Sequence, residues 1–100
     1  MARFDVYKNP EGEGCLLDVQ ADLLGHLNTR MVVPLLPASI APQPAPPLNP
    51  SFTIEGETLV MTTQFMAAVP SILLHPPVIT NLQPQHDTII AAIDFLMQGF

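Results

Sequence analysis

Pro84-Gln85-His86-Asp87-Thr88-Ile89-Ile90-Ala91-Ala92-Ile93-Asp94-Phe95-Leu96-Met97-Gln98-Gly99-Phe100 is the stretch on which the reading of this sequence turns. Ile89, Ile93, Leu96 and Phe100 recur at i, i+4, i+7 and i+11, the spacing of one face of an α-helix. Pro84 suits the first helical position, where its missing N–H costs nothing, with Gln83 as the N-cap before it. Asp87 falls in the first turn, where a negative charge meets the positive end of the helix dipole. Gly99 suits a C-cap, because it readily takes the left-handed conformation that ends helices. At about 100° per residue, Ala92, Leu96, Ile89, Phe100, Ile93, Met97 and Ile90 fill one broad arc. Asp87, Asp94 and Gln98 share a narrow polar arc, with Phe95 and Ala91 beyond it. A helix that covers a small sheet needs only one apolar stripe. Apolar residues on both sides of a thin polar strip leave two readings: a deeply embedded helix, or a helix end that joins an interface with another chain.

Upstream of this stretch the period changes to that of strands. Phe4 and Val6 face one way and Arg3, Asp5 and Tyr7 the other, which predicts a half-buried strand. Asn9-Pro10-Glu11-Gly12-Glu13-Gly14 reads as a hairpin loop. Cys15–Gln20 resumes the alternation, with Leu17 and Val19 opposite Leu16, Asp18 and Gln20. Asp22–Thr29 is mixed, a short helical turn or an irregular loop. Arg30–Leu36 is the most apolar strand, and Pro34 within it predicts an edge position, a bulge or a bend. Pro37–Pro50 holds six prolines and no charge. With φ restricted at each proline it reads as a long, stiff loop. Pro47-Leu48-Asn49-Pro50 matches a minimal PxxP pattern, but no basic residue flanks it. Ser51–Ile54, Glu55-Gly56 and Glu57–Thr62 read as a second hairpin, rich in β-branched residues. Thr63–Val69 reads as a turn and Pro70–Leu74 as a further strand, ended by His75-Pro76-Pro77. About five to seven short strands followed by one helix predict a mainly β fold with a C-terminal α-helix, a small antiparallel barrel or sheet with the helix packed on it.

Composition bounds the function. The chain has 100 residues with Lys+Arg 3 against Asp+Glu 9, a net charge of −6, and 48% hydrophobic residues. That length supports a single domain over residues 1–100. Three cations cannot neutralise a phosphate track, so autonomous nucleic-acid binding is disfavoured. The apolar content is ample for a core and excludes wholesale disorder. Cys15 is the only cysteine, which rules out an internal disulfide and fits a reducing cytoplasm. The apolar runs Met31–Leu36 and Ala67–Leu74 are broken by Pro34 and Pro70 and fall well short of the roughly 18 residues of a membrane span. Met1–Lys8 contains no apolar run of the signal-peptide kind. Scarce charge on an apolar chain also points to surface covered by a partner.

Candidate chemistry is sparse. Ser39, Ser51 and Ser71 lie outside any Gly-x-Ser-x-Gly turn. Cys15 on a strand reads as a small core residue. His26, His75 and His86 are far apart, and the pairs Asp22/His26 and His86/Asp87 fall short of a three-ligand metal set. Glu11/Glu13 and Glu55/Glu57 flank turn glycines and read as solvated charge. Arg30, in an acidic chain and before an apolar strand, reads as the partner of a structural salt bridge. No cofactor is expected.

Four blocks then resemble the CcdB family of toxins. They are Asp18-Val19-Gln20-Ala21-Asp22-Leu23-Leu24, Asn28-Thr29-Arg30-Met31-Val32-Val33-Pro34-Leu35, Met61-Thr62-Thr63-Gln64-Phe65-Met66-Ala67-Ala68-Val69-Pro70, and Ala91-Ala92-Ile93-Asp94-Phe95-Leu96-Met97-Gln98-Gly99-Phe100. They occur in the family's order and spacing, from Phe4 to Phe100. The resemblance implies an SH3-like barrel with a C-terminal helix, the CcdB/PemK (MazF-like) fold. It also implies a homodimer and an absence of catalysis. Family members bind the A subunit of DNA gyrase, trap the gyrase–cleaved DNA complex, and are neutralised by a cognate CcdA-like antitoxin. The positions that match the family's gyrase contacts are Leu23, Leu24, Asp94, Met97, Gln98, Gly99 and Phe100. The best-known members carry Trp at the position of Gln98 and Ile at that of Phe100. Two alternatives stay open: a MazF-like endoribonuclease sharing the fold, in which Arg30 would act, and an inactive chromosomal toxin that retains antitoxin binding.

Overall fold

The structure, a computed structural model, describes Met1 to Gly99. Phe100 lies outside the described residues, so its expected role is not placed. Seven strands form one antiparallel sheet in the order β4-β5-β3-β2-β1-β7, with β6 joined to β3. The strands are β1 Asp5–Lys8, β2 Cys15–Asp18, β3 Thr29–Pro37, β4 Ser51–Ile54, β5 Glu57–Met61, β6 Ala67–Pro70 and β7 Thr80–Asn81. The sheet curls into a nearly closed, SH3-like barrel, and helix α1 (His86–Gln98) packs against it.

Register follows from the pattern of side chains. Val6 pairs with Leu17, and Leu17 with Val33. These three residues point into the main core with Leu35, Phe52 and Ile89. A one-residue slip would turn that whole set outward. The opposite face of β1–β2–β3 is covered too. Tyr7, Leu16, Val32 and Leu74 form a second small core there. Strand β1 is therefore buried on both faces, where alternation alone predicts a half-buried strand.

Pro34 sits inside β3, and β3 is the central strand, not an edge. Its N-terminal part, Thr29–Val32, pairs with β6, and its C-terminal part, Leu35–Pro37, pairs with β5. Pro34 occupies the point where the neighbour changes. No ladder N–H is needed there, which is the condition under which a proline is tolerated in a sheet. Its carbonyl accepts from the Thr62 N–H at 3.0 Å and from Thr62 Oγ1 at 2.8 Å.

The β4–β5 hairpin turns through Glu55 (φ 50°) and Gly56 (φ 81°), both left-handed, as the tight turns that match strand twist require. Gly14 (φ 82°) closes the β1–β2 loop, and a Cβ there would stand 2.1 Å from the Leu35 carbonyl oxygen. Only glycine fits that approach.

Two expected elements are displaced. The strand expected at Pro70–Leu74 lies at β6, Ala67–Pro70, and Ser71–Leu73 is a tight helical turn. Pairing with β3 selects the earlier segment over its modest strand propensity. The helix expected from Pro84 begins at His86, after a tight turn over Gln83–Gln85. Gly99 caps it at φ 81°, donating to the Phe95 carbonyl at 2.8 Å. The Pro37–Pro50 segment is a loop, as its composition predicts. Asn49 pins it: its Oδ1 accepts from Ala45 N–H, and its Nδ2 donates to the Met61 carbonyl and to Gln64 Oε1.

Candidate functional site

The clearest unpartnered surface is the turn that follows β2. Asp22–Leu24 forms one tight helical turn with no buried residue. Leu23 is 87% exposed and Leu24 42% exposed. An apolar pair held this far into water has no folding rationale, since burying a leucine is worth about 1.5–3 kcal/mol.

The turn is nonetheless rigidly supported from below. Asp18 and Arg30 are buried, at 0% and 1% exposure. Arg30 Nε donates to Asp18 Oδ2 at 2.9 Å, and Nη2 lies 2.6 Å from the same oxygen without a well-directed hydrogen bond. Asp18 Oδ1 accepts from the Gln20 N–H at 3.0 Å. Gln20 in turn donates from Nε2 to the Leu24 carbonyl at 2.9 Å and accepts the Met31 N–H at Oε1. Asp22 Oδ1 accepts the Arg3 N–H at 2.7 Å. Burial pushes the Asp18 carboxyl up, while the bonds from Arg30 and Gln20 pull it back. A relay thus runs from the buried Arg30–Asp18 pair through Gln20 to the backbone that presents Leu23 and Leu24. Gln20 is the member that composition and spacing do not reveal, because its role is made by tertiary hydrogen bonds. Arg30 is the structural salt-bridge residue that its context predicts.

The second apolar surface is the end of α1. Ile89 and Ala92 are fully buried, but Met97 is 64% exposed and Leu96 36%. Asp94, Gln98 and Gly99 are exposed. The helix is therefore embedded by its first half and free at its last turn, so the deeply embedded reading does not hold for its end. The structure gathers Asp94, Met97, Gln98 and Gly99 at one helix end. Leu23 and Leu24 sit on a separate element, and neither hydrogen bonds nor the shared core join the two groups. No helix among the described residues is long and apolar enough to cross a membrane.

These features define a class: a small SH3-like barrel with one helix, carrying exposed apolar side chains on a supported turn and on a helix end. The sequence profile of the family described as CcdB protein matches residues 3–99. The chain belongs to the CcdB family, and is a toxin of the CcdB type from a toxin–antitoxin system. No individual curated protein matches it.

Proposed function

We propose that the protein is a non-catalytic toxin that acts in the cytoplasm as a homodimer. It engages the A subunit of DNA gyrase through Leu23, Leu24, Asp94, Met97, Gln98, Gly99 and Phe100, and holds gyrase on cleaved DNA. A cognate antitoxin neutralises it. The observation that supports this reading is the exposure of Leu23 and Met97, at 87% and 64%, in a chain of this family. A few side chains that a partner fully desolvates carry most of an interface's affinity, and exposed apolar groups such as these gain from being covered. Two copies related by a two-fold axis would present two such sets to a symmetric target. Differential affinity for the cleaved-DNA state of gyrase would then hold that state.

Gln98 offers less apolar area than the aromatic of the best-known members, so Leu23, Leu24 and Met97 carry more of the contact here. The endoribonuclease reading loses its nominated residue, because Arg30 is buried against Asp18 and cannot reach a phosphate. The test is gyrase-dependent cleavage of supercoiled plasmid by the purified protein. Linear DNA released by detergent and protease is expected, and it disappears in Leu24→Asp and Met97→Asp. Failure of the wild-type chain both to bind the gyrase A subunit and to promote cleavage sinks the proposal. RNA cleavage lost in Arg30→Ala, with the fold intact, would move the reading to the nuclease alternative.

A further inference from the structure

Strand β2 ends at Asp18, yet the chain beyond it stays bonded to β3. The Val19 N–H donates to the Met31 carbonyl at 3.0 Å. The two main-chain groups of a ladder residue face the same neighbouring strand, so the Met31 N–H also looks for an acceptor there. It finds a side chain, Gln20 Oε1, at 3.0 Å. The Gln20 amide thus stands in for the next stretch of β2. Its other end, Nε2, donates to the Leu24 carbonyl at 2.9 Å.

The Asp22–Leu24 turn holds itself weakly. A single tight turn has poor hydrogen-bond geometry and fixes several dihedrals for each bond it gains. Its internal bonds run from the Leu24 N–H to the Ala21 carbonyl and from the Gly25 N–H to the Asp22 carbonyl, at 2.9 and 3.0 Å. No residue of the turn is buried, so apolar packing does little to fix it. Two side-chain bonds tie it down instead. Asp22 Oδ1 takes the Arg3 N–H at its start, and Gln20 Nε2 holds the Leu24 carbonyl at its end.

We propose that Gln20 is a positioning residue for partner recognition: by clamping the Leu24 carbonyl to the Met31 amide of β3, it keeps Leu23 and Leu24 in the geometry that the partner takes. The inference rests on the reading of Leu23 and Leu24 as gyrase contacts. Both ends of the Gln20 amide are engaged by this chain's own backbone, so its effect passes through the turn. Hydrogen bonds open to water, as these two are, contribute modestly to global stability. Their consequence is order. A turn already fixed loses little conformational freedom on binding, whereas a loose one must be ordered by the partner, which weakens the complex.

The test uses the full chain. Gln20→Met keeps the length of the side chain and removes both bonds. Gln20→Glu keeps an acceptor for Met31 and removes the donor to Leu24, which covers the case of a misfolded Met variant. In the free protein, amide exchange at Leu24, Gly25 and Leu27 is expected to accelerate in both variants, while the β2–β3 ladder exchanges as in the wild type. Affinity for the gyrase A subunit, read by titration calorimetry, falls about threefold to tenfold. In a background carrying Leu23→Ala and Leu24→Ala, Gln20→Met changes affinity by less than about twofold, because the side chains it positions are gone. The inference is overturned if the wild type binds and the variants leave turn exchange or affinity unchanged. Faster exchange throughout the ladder, or an equal loss of affinity in the alanine background, would assign Gln20 to the fold and overturn it too. A wild-type chain that does not bind the gyrase A subunit removes the underlying reading and this inference together.

Discussion

Tyr7 and Arg30 show how little polarity this barrel buries without a purpose. Tyr7 is 2% exposed. Burial first, then the charges of Asp5 and Asp18, raise its phenol from 10.0 to about 12. The folded chain therefore keeps this proton longer than the unfolded chain does. Between the two values the folded state binds more protons, so stability falls as pH rises through that window. Tyr7 is the sole tyrosine and there is no tryptophan, which makes phenolate absorbance a direct readout. Ionisation two units late, coincident with loss of structure, is expected; ionisation at the ordinary pH in a native chain would contradict the burial argument. Arg30 belongs to a different balance. Arg30→Ala strands the buried Asp18 carboxylate and costs about 3–5 kcal/mol, measurable by urea unfolding. Replacing both partners, Asp18→Leu with Arg30→Met, costs less than Arg30→Ala alone, because no charge is left unpaired. An equal or larger loss in the double variant would show that the pair acts by more than mutual neutralisation.

Among the elements, the Pro37–Pro50 loop depends most on one residue. Asn49→Ala removes the bonds to Ala45, Met61 and Gln64, made at 3.0, 3.0 and 2.8 Å. A loss of about 1–3 kcal/mol is expected, with faster amide exchange at Ala45 and no change within α1. Uniform acceleration across the chain would mean that the loop is not an independent unit. The elements also differ in how far their residues announce them. The α1 period is visible because Ile89, Ile93 and Leu96 must share a face. The β4–β5 hairpin is visible because Glu55-Gly56 separates two β-branched runs. Strand β6 is not, since Ala67-Ala68 carries weak strand propensity and its pairing with Arg30 and Met31 is a tertiary choice. Strand β7 has two residues, too few for any period. The candidate site divides likewise. Leu23, Leu24 and the helix end follow from local pattern and resemblance, whereas the Gln20 relay joins segments distant in sequence.

For the whole molecule, the exposed apolar residues and the fold are separable. Leu23→Asp and Met97→Asp should leave unfolding stability within about 0.5 kcal/mol, as surface substitutions do. Growth arrest on expression should nevertheless be relieved. Stability lost together with toxicity would place these side chains in a monomer core or a dimer seam instead of a gyrase contact. The strand that makes this separation possible is β3. It forms ladders with β2, β5 and β6, so none of those three strands can leave the sheet without breaking a ladder of β3. Its mid-strand amides should exchange with solvent only through global unfolding. Leu23 and Met97 lie on segments outside that spine. Evolution can therefore redraw what the protein recognises, on two fronts, while the cooperative unit that keeps it folded stays untouched.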